Sequence, residues 1–189
     1  MSSKRDALLK SAKKLLWERG FEATSPRDIQ DASGAGQGSF YHHFDGKLDL
    51  AATALEEVSI EMRELASELL DETVGGLDRV ERFLVQQRDG SKGCRLGRFA
   101  MEASISEAKL RGPIDAYFRH LETLLAEALA DAQRKGQLAD DLKPADLAQM
   151  IIATVQGGFI ISRVRRDKDA INRSGAAAMA LLRRATKTR

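Results

Sequence analysis

The sequence predicts an all-α protein that has a small N-terminal domain of three helices and a larger C-terminal helical domain, with about nine helices in all. Aromatic residues make up only 5% of the chain, proline occurs three times, and Ala, Leu, Glu, Arg and Lys dominate. These preferences favour helices over β-sandwiches and barrels. Apolar residues also recur at helical spacing through most of the chain. A length of 189 residues suits one small and one medium domain.

The first predicted helix has a clear start and a clear end. Ser3 with Asp6 three residues later is typical of a capping box, with Asp in the usual Glu position. Gly20 ends the helix, since glycine tolerates the left-handed backbone needed there. The stripe that should face the core consists of Leu8, Ala12, Leu15 and Leu16.

Two short helices follow at once. Ser25 and Pro26 suit the cap and first position of the second helix, which Gly34 ends. After a tight turn over 33–36, a third helix is predicted from about Gln37 to His43. A fourth should begin near Lys47 with Asp45 as its cap. Short helices joined by a glycine-containing turn, behind a longer amphipathic helix, are typical of a helix-turn-helix module.

The residues at the starts of the second and third helices suit a phosphate backbone and a DNA groove. Thr24 and Ser25 offer hydroxyl donors beside the exposed amides of the second helix. Gly36, Gly38 and Ser39 are small, so the third helix can approach a groove floor closely. Helix-turn-helix patterns also occur in proteins that do not bind DNA, which leaves a purely structural alternative open.

Larger polar side chains complete the predicted interface. Gln37 can reach a base edge, Tyr41 and His42 can reach backbone oxygens, and Lys47 supplies a positive charge for a phosphate. The inward face of the third helix should be anchored by two aromatic residues spaced i, i+4, Phe40 and Phe44.

The positive charge of the chain is concentrated in the same region. The formal net charge is +2. Residues 1–47 hold eight Lys or Arg and six Asp or Glu, whereas the remaining 142 residues hold 22 of each. The excess is small and has the sign that nucleic-acid binding requires.

The strings FEATSPRDI at 21–29 and SGAGQGSFYHHFDGK at 33–47 closely resemble the DNA-binding domain of TetR-family transcriptional regulators. The resemblance implies that the start of the second helix faces phosphates, that the start of the third reads bases, and that the residues after it contact the DNA backbone. Ser25 and Arg27 match the phosphate-facing start of the second helix, and Gln37 and Ser39 match the base-reading start of the third. The positions that match contacts to the DNA backbone are Tyr41, His42 and Lys47.

Three positions depart from the family pattern. Ala35 and Gly36 stand where the family usually has Val and a hydroxyl residue, and Leu48 replaces a frequent Glu. The third helix therefore lacks its usual side-chain cap, a loss that typically costs a few tenths of a kcal/mol when Gly replaces the hydroxyl residue.

The rest of the chain is predicted to be helical with short breaks. The expected helices lie at 47–70, 77–87, 94–109, 114–135, 144–165 and 170–184. The helix at 144–165 is apolar on more than one face, so it needs a second partner surface or lies at the centre of a monomer. Segments 135–148 and 156–159 resemble the end of the TetR-family regulatory domain, in which the last two helices form a two-fold dimer interface. The interface residues expected here are Met150, Ile151, Val155, Gly158 and Phe159.

The resemblance also implies an effector pocket within residues 47–135. Its candidate lining residues are Met62, Phe83, Cys94, Phe99, Glu102, Tyr117 and His120, although each of them also suits a plain core position. Cys94 follows a Lys-Gly loop at a predicted helix N-terminus, a location that favours a reactive thiolate. A thiol switch and a small buried core residue are therefore both open for Cys94.

Several function classes are excluded or disfavoured. One cysteine cannot form an intrachain disulfide or a Cys-based zinc site. No nucleophile with an evident base, metal motif or phosphate loop is present, so no catalytic residue, metal or cofactor is expected and the chain is not expected to be an enzyme. No apolar run approaches the ~18 residues of a membrane span, and residues 1–5 lack the apolar stretch of a signal peptide. The expected location is the cytoplasm, with no membrane partner.

These patterns predict a sequence-specific transcriptional regulator, expected to be a repressor. It should bind palindromic duplex DNA as a homodimer and be released by a small-molecule effector of unknown class. Residues 1–47 should form the DNA-binding domain, and residues 48–189 the ligand-binding and dimerisation domain. Two alternatives are a regulator of the same fold switched through Cys94 and a helical interaction protein that does not bind DNA.

Overall fold

The computed structural model describes residues 3–185, which contain eight α-helices and no β-strand. The predicted all-α class is therefore confirmed for these residues. The helices are α1 (Lys4–Arg19), α2 (Pro26–Ser33), α3 (Gln37–His43), α4 (Lys47–Leu69), α5 (Gly76–Val85), α6 (Ala108–Arg134), α7 (Pro144–Arg165) and α8 (Ala170–Arg184). Two short 3₁₀ helices, Gly97–Met101 and Ala103–Ser106, lie between α5 and α6.

The chain divides into two compact units. The first comprises Met1–Glu61 and Arg95–Tyr117, and the second comprises Met62–Cys94 and Phe118–Arg189. Residues 95–117 therefore pack with the N-terminal helices, although they are distant from them in sequence. The domain boundary after residue 47 remains a prediction, and the last four residues of the domain predicted at 48–189 lie outside the described part of the chain.

The local signals at the N-terminal helices formed as expected. Ser3 and Asp6 form a reciprocal capping box at α1, and Ser25 and Asp28 form another at α2. Gly34 ends α2 in the left-handed conformation, with φ 66° and ψ 21°. The start of α4 differs, because the backbone N–H of Asp45 donates to the Asp49 carboxylate at 3.2 Å. These capping bonds satisfy backbone groups that a helix end otherwise leaves without partners.

The helix predicted at 94–109 does not form. The two 3₁₀ helices occupy this stretch, and between them Glu102 is extended, with φ −93° and ψ 146°. Its side chain accepts a hydrogen bond from the distant backbone of Glu22. A tertiary contact and Gly97, a poor helix former, therefore override the local helical pattern.

The predicted break at Gly112 and Pro113 is also wrong, since α6 runs through both residues. Pro113 lies in the second turn of the helix, where its missing N–H removes one backbone hydrogen bond. The helix keeps a buried apolar stripe across this point, formed by Leu110, Ile114 and Tyr117. The Pro113 carbonyl also accepts the hydroxyl of buried Ser59 at 2.7 Å, which joins α6 to α4 within the first unit.

In the second unit, α8 packs closely against both α7 and α5. A Cβ atom on Gly158 of α7 would lie only 3.0–3.2 Å from atoms of Ile171. A Cβ atom on Gly175 of α8 would overlap the carbonyl oxygen of Leu84. The absence of side chains at these two glycines therefore allows helix backbones to approach each other.

Helix α7 is long and apolar enough to cross a membrane, with a mean hydropathy of 1.4 over 18 residues. The expectation that no apolar run reaches this length is therefore wrong. One such helix is weak evidence for a membrane span, and α7 is packed along α8.

Candidate nucleic-acid interface

One face of helix α3 is buried in the protein, and another face is exposed to solvent. Phe40 and Phe44 are 0% and 4% exposed, and their ring centroids lie 6.4 Å apart. Tyr41 is 55% exposed and packs edge-on against Phe40, with a centroid distance of 5.0 Å. Gln37 and His42 are exposed as well. The two phenylalanines therefore anchor α3 as predicted, and this leaves polar side chains available to a partner.

The N-terminal end of α3 is compact and open to solvent. Gly36 is its N-cap residue and makes no side-chain capping bond, as its departure from the family pattern predicts. A Cβ atom on Gly36 or Gly38 would meet nothing within 4 Å. Ser39 in the first turn is partly buried. Packing inside the protein therefore does not require glycine at these two positions.

The start of α2 presents one charged and one hydroxyl side chain. The side chain of Arg27 is 89% exposed, and its Nε lies 3.9 Å from the carboxylate of Asp31. The hydroxyl of Ser25 donates to Oδ2 of Asp28 at 2.6 Å and accepts the Asp28 N–H at 3.1 Å. Hydrogen bonds from the Ser25 hydroxyl and amide hold the pKa of Asp28 below its usual value. Ser25 therefore acts first as the cap of α2, with its oxygen at the solvent-exposed helix end.

Thr24 does not have the predicted position. Its side chain is 0% exposed, and its hydroxyl donates to the Gly20 carbonyl at 2.6 Å. Its backbone N–H donates to the carbonyl of Phe21 at 3.2 Å. Both donors are therefore used within the turn between α1 and α2, so we remove Thr24 from the candidate phosphate contacts.

Lys47 lies at the first position of α4, beside the same turn. Its ammonium is 4.1 Å from the centroid of the Phe21 ring, a cation–π distance. Burial lowers the pKa of Lys47, while the carboxylates of Glu102, Glu22 and Asp28 act in the opposite direction. Its ammonium is therefore held next to the Phe21 ring, whereas the side chain of Arg27 is 89% exposed.

The predicted effector residues are divided between the two units. Phe99, Glu102 and Tyr117 belong to the first unit, and the remaining four belong to the second: Met62, Phe83, Cys94 and His120. Glu102 is engaged with the turn between α1 and α2. The ring nitrogen Nε2 of His120 lies 2.9 Å from the Ser67 hydroxyl oxygen. An effector site that includes all seven residues remains a prediction.

Cys94 is 7% exposed and precedes a 3₁₀ helix that begins only at Gly97. The prediction that Cys94 lies at the N-terminus of an α-helix, a location that favours a reactive thiolate, is therefore wrong. Among residues 3–185, no group of three or more His, Cys, Asp or Glu side chains is placed to hold a metal ion.

The predicted dimer residues on α7 point in different directions. Ile151, Val155 and Gly158 are buried within their own chain, so they are wrong as contacts to a second copy. Met150 is 42% exposed, and Phe159 is partly buried. The exposed large apolar side chains of α7 and α8, here called the α7–α8 apolar face, are Met150, Ile160, Ile161, Val164 and Leu181.

Sequence reasoning missed the contacts that join residues 95–104 to α1, to the turn that follows it and to α4. Glu61 pairs with both Lys13 and Arg95, at 2.9 Å and 2.8 Å. The guanidinium of Arg98 donates to the carbonyl of Trp17. No spacing rule links such distant positions, and only homologous sequences that vary together would reveal them.

Comparisons with known proteins agree with this architecture. Residues 8–54 match the model described as bacterial regulatory proteins, tetR family. Residues 77–179 match the model of the LmrA/YxaF-like transcriptional regulator C-terminal domain. The HTH-type transcriptional repressor DhaR of Mycobacterium sp. strain GP1 is 26% identical over 172 residues, which cover 89% of this chain and 86% of that protein.

Solved structures show the same fold. A TetR transcriptional regulator from Chloroflexus aurantiacus superposes with a TM-score of 0.85 at 20% identity, covering 98% of this chain and 97% of that one. A TetR-family regulator from Agrobacterium tumefaciens gives a TM-score of 0.84 at 24% identity, with 97% and 98% covered.

Proposed function

The chain belongs to the TetR family of bacterial DNA-binding transcriptional regulators, and we propose that it is a repressor that binds a palindromic operator as a homodimer and is released by a small-molecule effector. The observation that carries the DNA-binding part is the orientation of α3. Its aromatic anchors are buried, whereas Gln37, Tyr41 and His42 face solvent. A recognition helix needs this division between a fixed face and a polar face.

The proposed contacts divide into phosphate contacts and base contacts. Arg27, Ser25 and Lys47 lie at the starts of α2 and α4, where exposed amides and positive charge favour phosphates. Gln37 and Ser39 lie in the first turn of α3, next to two glycines that leave open space. Tyr41 and His42 would contact the DNA backbone. In this assignment Gln37 supplies sequence preference, and the others position the protein.

Support for a homodimer comes from the α7–α8 apolar face. Ile160, Val164 and Leu181 are 61%, 79% and 67% exposed. Large apolar side chains on two adjacent helices favour a further contact with an apolar surface. A second copy supplies an identical face, and a two-fold dimer would place two α3 helices on the half-sites of a palindrome.

Repression and effector release are proposed on the family membership and on the name of the relative DhaR. An effector that prefers a conformation with wrongly spaced DNA-binding units would weaken operator binding by its differential affinity for the two conformations. The buried position of Cys94 disfavours the alternative thiol switch, and the exposed polar face of α3 disfavours an interaction protein without DNA binding. A repressor of this family would act on DNA in the cytoplasm.

Selection from a random duplex pool at two salt concentrations tests this proposal. The full chain should enrich a palindrome, and the affinity should fall as salt rises because phosphate contacts release counterions. The matched control is Gln37→Ala with Tyr41→Ala, which removes two exposed side chains of α3 and leaves the buried anchors in place. If protein unfolded and refolded without ligand enriches no sequence at either salt concentration, the proposal is wrong.

A further inference from the structure

The turn between α1 and α2 is joined to a distant segment by two reciprocal hydrogen bonds. The backbone N–H of Glu22 donates to Oε2 of Glu102 at 3.0 Å. In return, the backbone N–H of Ser104 donates to Oε1 of Glu22 at 3.2 Å. Each glutamate therefore accepts from the backbone of the other segment. We call residues 95–106 the strap.

The Glu102 carboxylate also lies directly against Gly20. A Cβ atom on Gly20 would be 2.9 Å from Cδ of Glu102 and would overlap Oε1. The carbonyl of Gly20 accepts the buried hydroxyl of Thr24, which immediately precedes the N-cap Ser25 of α2. The carboxylate therefore contacts this short hydrogen-bonded loop at Gly20 and at Glu22, and the loop leads directly into α2.

Further contacts fix the strap along α1. Arg95 pairs with Glu61 at 2.8 Å, and Glu61 pairs with Lys13 of α1. Arg98 donates to the Trp17 carbonyl near the end of α1. Phe99, which follows Arg98, is 2% exposed and lines a small cavity with Leu16, Trp17 and Val58. The strap is thus anchored at Arg95, Arg98 and Phe99 before it reaches the turn.

From this arrangement we infer that Glu102 is a positioning residue for DNA binding: its carboxylate fixes the Gly20–Thr24 turn and thereby the start of α2. The strap itself has little intrinsic rigidity, because it consists of two short 3₁₀ helices around an extended residue. Its conformation therefore depends on these contacts, and the orientation of α2 depends on the strap. The effect of Glu102 on DNA binding rests on the proposed function. The contact between Glu102 and the turn does not.

Amide hydrogen exchange on the full chain without DNA tests the contact. Glu102→Ala should accelerate exchange of the Glu22 amide by about tenfold or more, since a hydrogen bond to a charged acceptor is lost. Glu102→Gln keeps an oxygen acceptor and should retain most of the protection. Glu107→Ala removes the same charge from an exposed site nearby and should change nothing. Equal exchange of the Glu22 amide in the wild type and in Glu102→Ala would overturn the inference.

Binding to the duplex enriched by the wild type tests the consequence. Glu102→Ala should bind about tenfold more weakly than Glu102→Gln, with an unchanged slope of affinity against salt because no phosphate contact is removed. Glu22→Ala, at an exposed residue, removes the other bond without a folding risk and should weaken binding in the same way. Faster exchange with unaltered affinity would overturn the positioning role. Absence of any enriched duplex for the wild type would overturn both that role and the proposed function.

Discussion

Oε1 of Glu102 occupies the space that a Cβ atom on Gly20 would fill. Gly20 has φ 91° and ψ 174°, a backbone region that is open almost only to glycine. Two independent requirements therefore meet at this position. The chain must turn sharply after α1, and the carboxylate of a distant residue must approach the backbone.

Gly20→Ala should destabilise the protein by about 1–3 kcal/mol, because alanine is strained in this conformation and its methyl group would displace Glu102. Urea unfolding measures the change. The matched control is Gly38→Ala, where the added Cβ meets nothing within 4 Å inside α3 and stability should stay the same or rise. The cost should be smaller in a Glu102→Ala background, since only the backbone strain then remains. An equal loss of stability in the wild-type and Glu102→Ala backgrounds would contradict a steric clash between the added methyl group and Glu102.

Gly38→Leu should separate folding from DNA binding. The free energy of unfolding should rise slightly, by about 0.5 kcal/mol, because leucine favours a helix more than glycine does and nothing lies within 4 Å of its Cβ position. Operator affinity should fall by about tenfold or more, because bulk at this end of α3 prevents close approach. Fluorescence anisotropy on the selected duplex measures the affinity. Gly38→Ala is the control, because it raises helix propensity with little added bulk, and an unaltered affinity for Gly38→Leu would exclude close groove contact at this residue.

Lys47→Ala and Gln37→Ala should have different signatures on DNA. Loss of Lys47 should weaken binding to all sequences and reduce the slope of log affinity against log salt by about one. Loss of Gln37 should relax preference at one base position by about 1–3 kcal/mol if its contact is bidentate. Affinities for a set of singly substituted duplexes at several salt concentrations distinguish the two. A sequence-dependent effect at Lys47, or an unchanged motif for Gln37→Ala, would reverse these assignments.

Val164→Asp should convert a dimer into a monomer. Val164 is 79% exposed on the α7–α8 apolar face, and an unpaired carboxylate buried there should raise the dimer dissociation constant by about a hundredfold or more. Sedimentation equilibrium across a range of protein concentrations measures it. Val85→Asp introduces the same charge at an exposed valine of α5, outside this face. Equal association of the wild type and both variants would place the dimer contact elsewhere.

Asp131 should contribute to the loss of stability in acid. Its pKa is lowered from 3.8 to about 2, first by the hydrogen bond from Lys135 and then by the Gly76 amide and the Arg79 guanidinium. Since the folded-state pKa is the lower one, the stabilisation is complete above about pH 4 and disappears as pH falls towards 2. The slope of the unfolding free energy against pH reports the number of protons taken up on unfolding. In Asp131→Asn this number should decrease by about one at most in that pH range. Urea titrations from pH 7 to 2.5 measure the slope, with Asp141→Asn as an exposed control. An unchanged slope for Asp131→Asn would contradict the role of this carboxylate.

Much of the N-terminal architecture was predictable because its signals are local. Ser3 with Asp6, Ser25 with Asp28, and Gly34 each act within one helical turn, so the neighbouring residues suffice to place the ends of α1 and α2. The spacing of Phe40 and Phe44 likewise determines which face of α3 is buried.

The tertiary structure alone decided where distant groups meet. The periodicity of 94–109 favoured a helix, yet the contact between Glu102 and the Glu22 amide accompanies an extended residue in its place. Thr24 suited a phosphate contact until its hydroxyl was found bound to the Gly20 carbonyl. On α7, composition showed an excess of apolar residues, but only packing against the rest of the chain distinguished buried Ile151 and Val155 from exposed Val164. Caps and periodicities depend on residues a few positions apart, whereas these outcomes depend on segments that come together only when the chain folds.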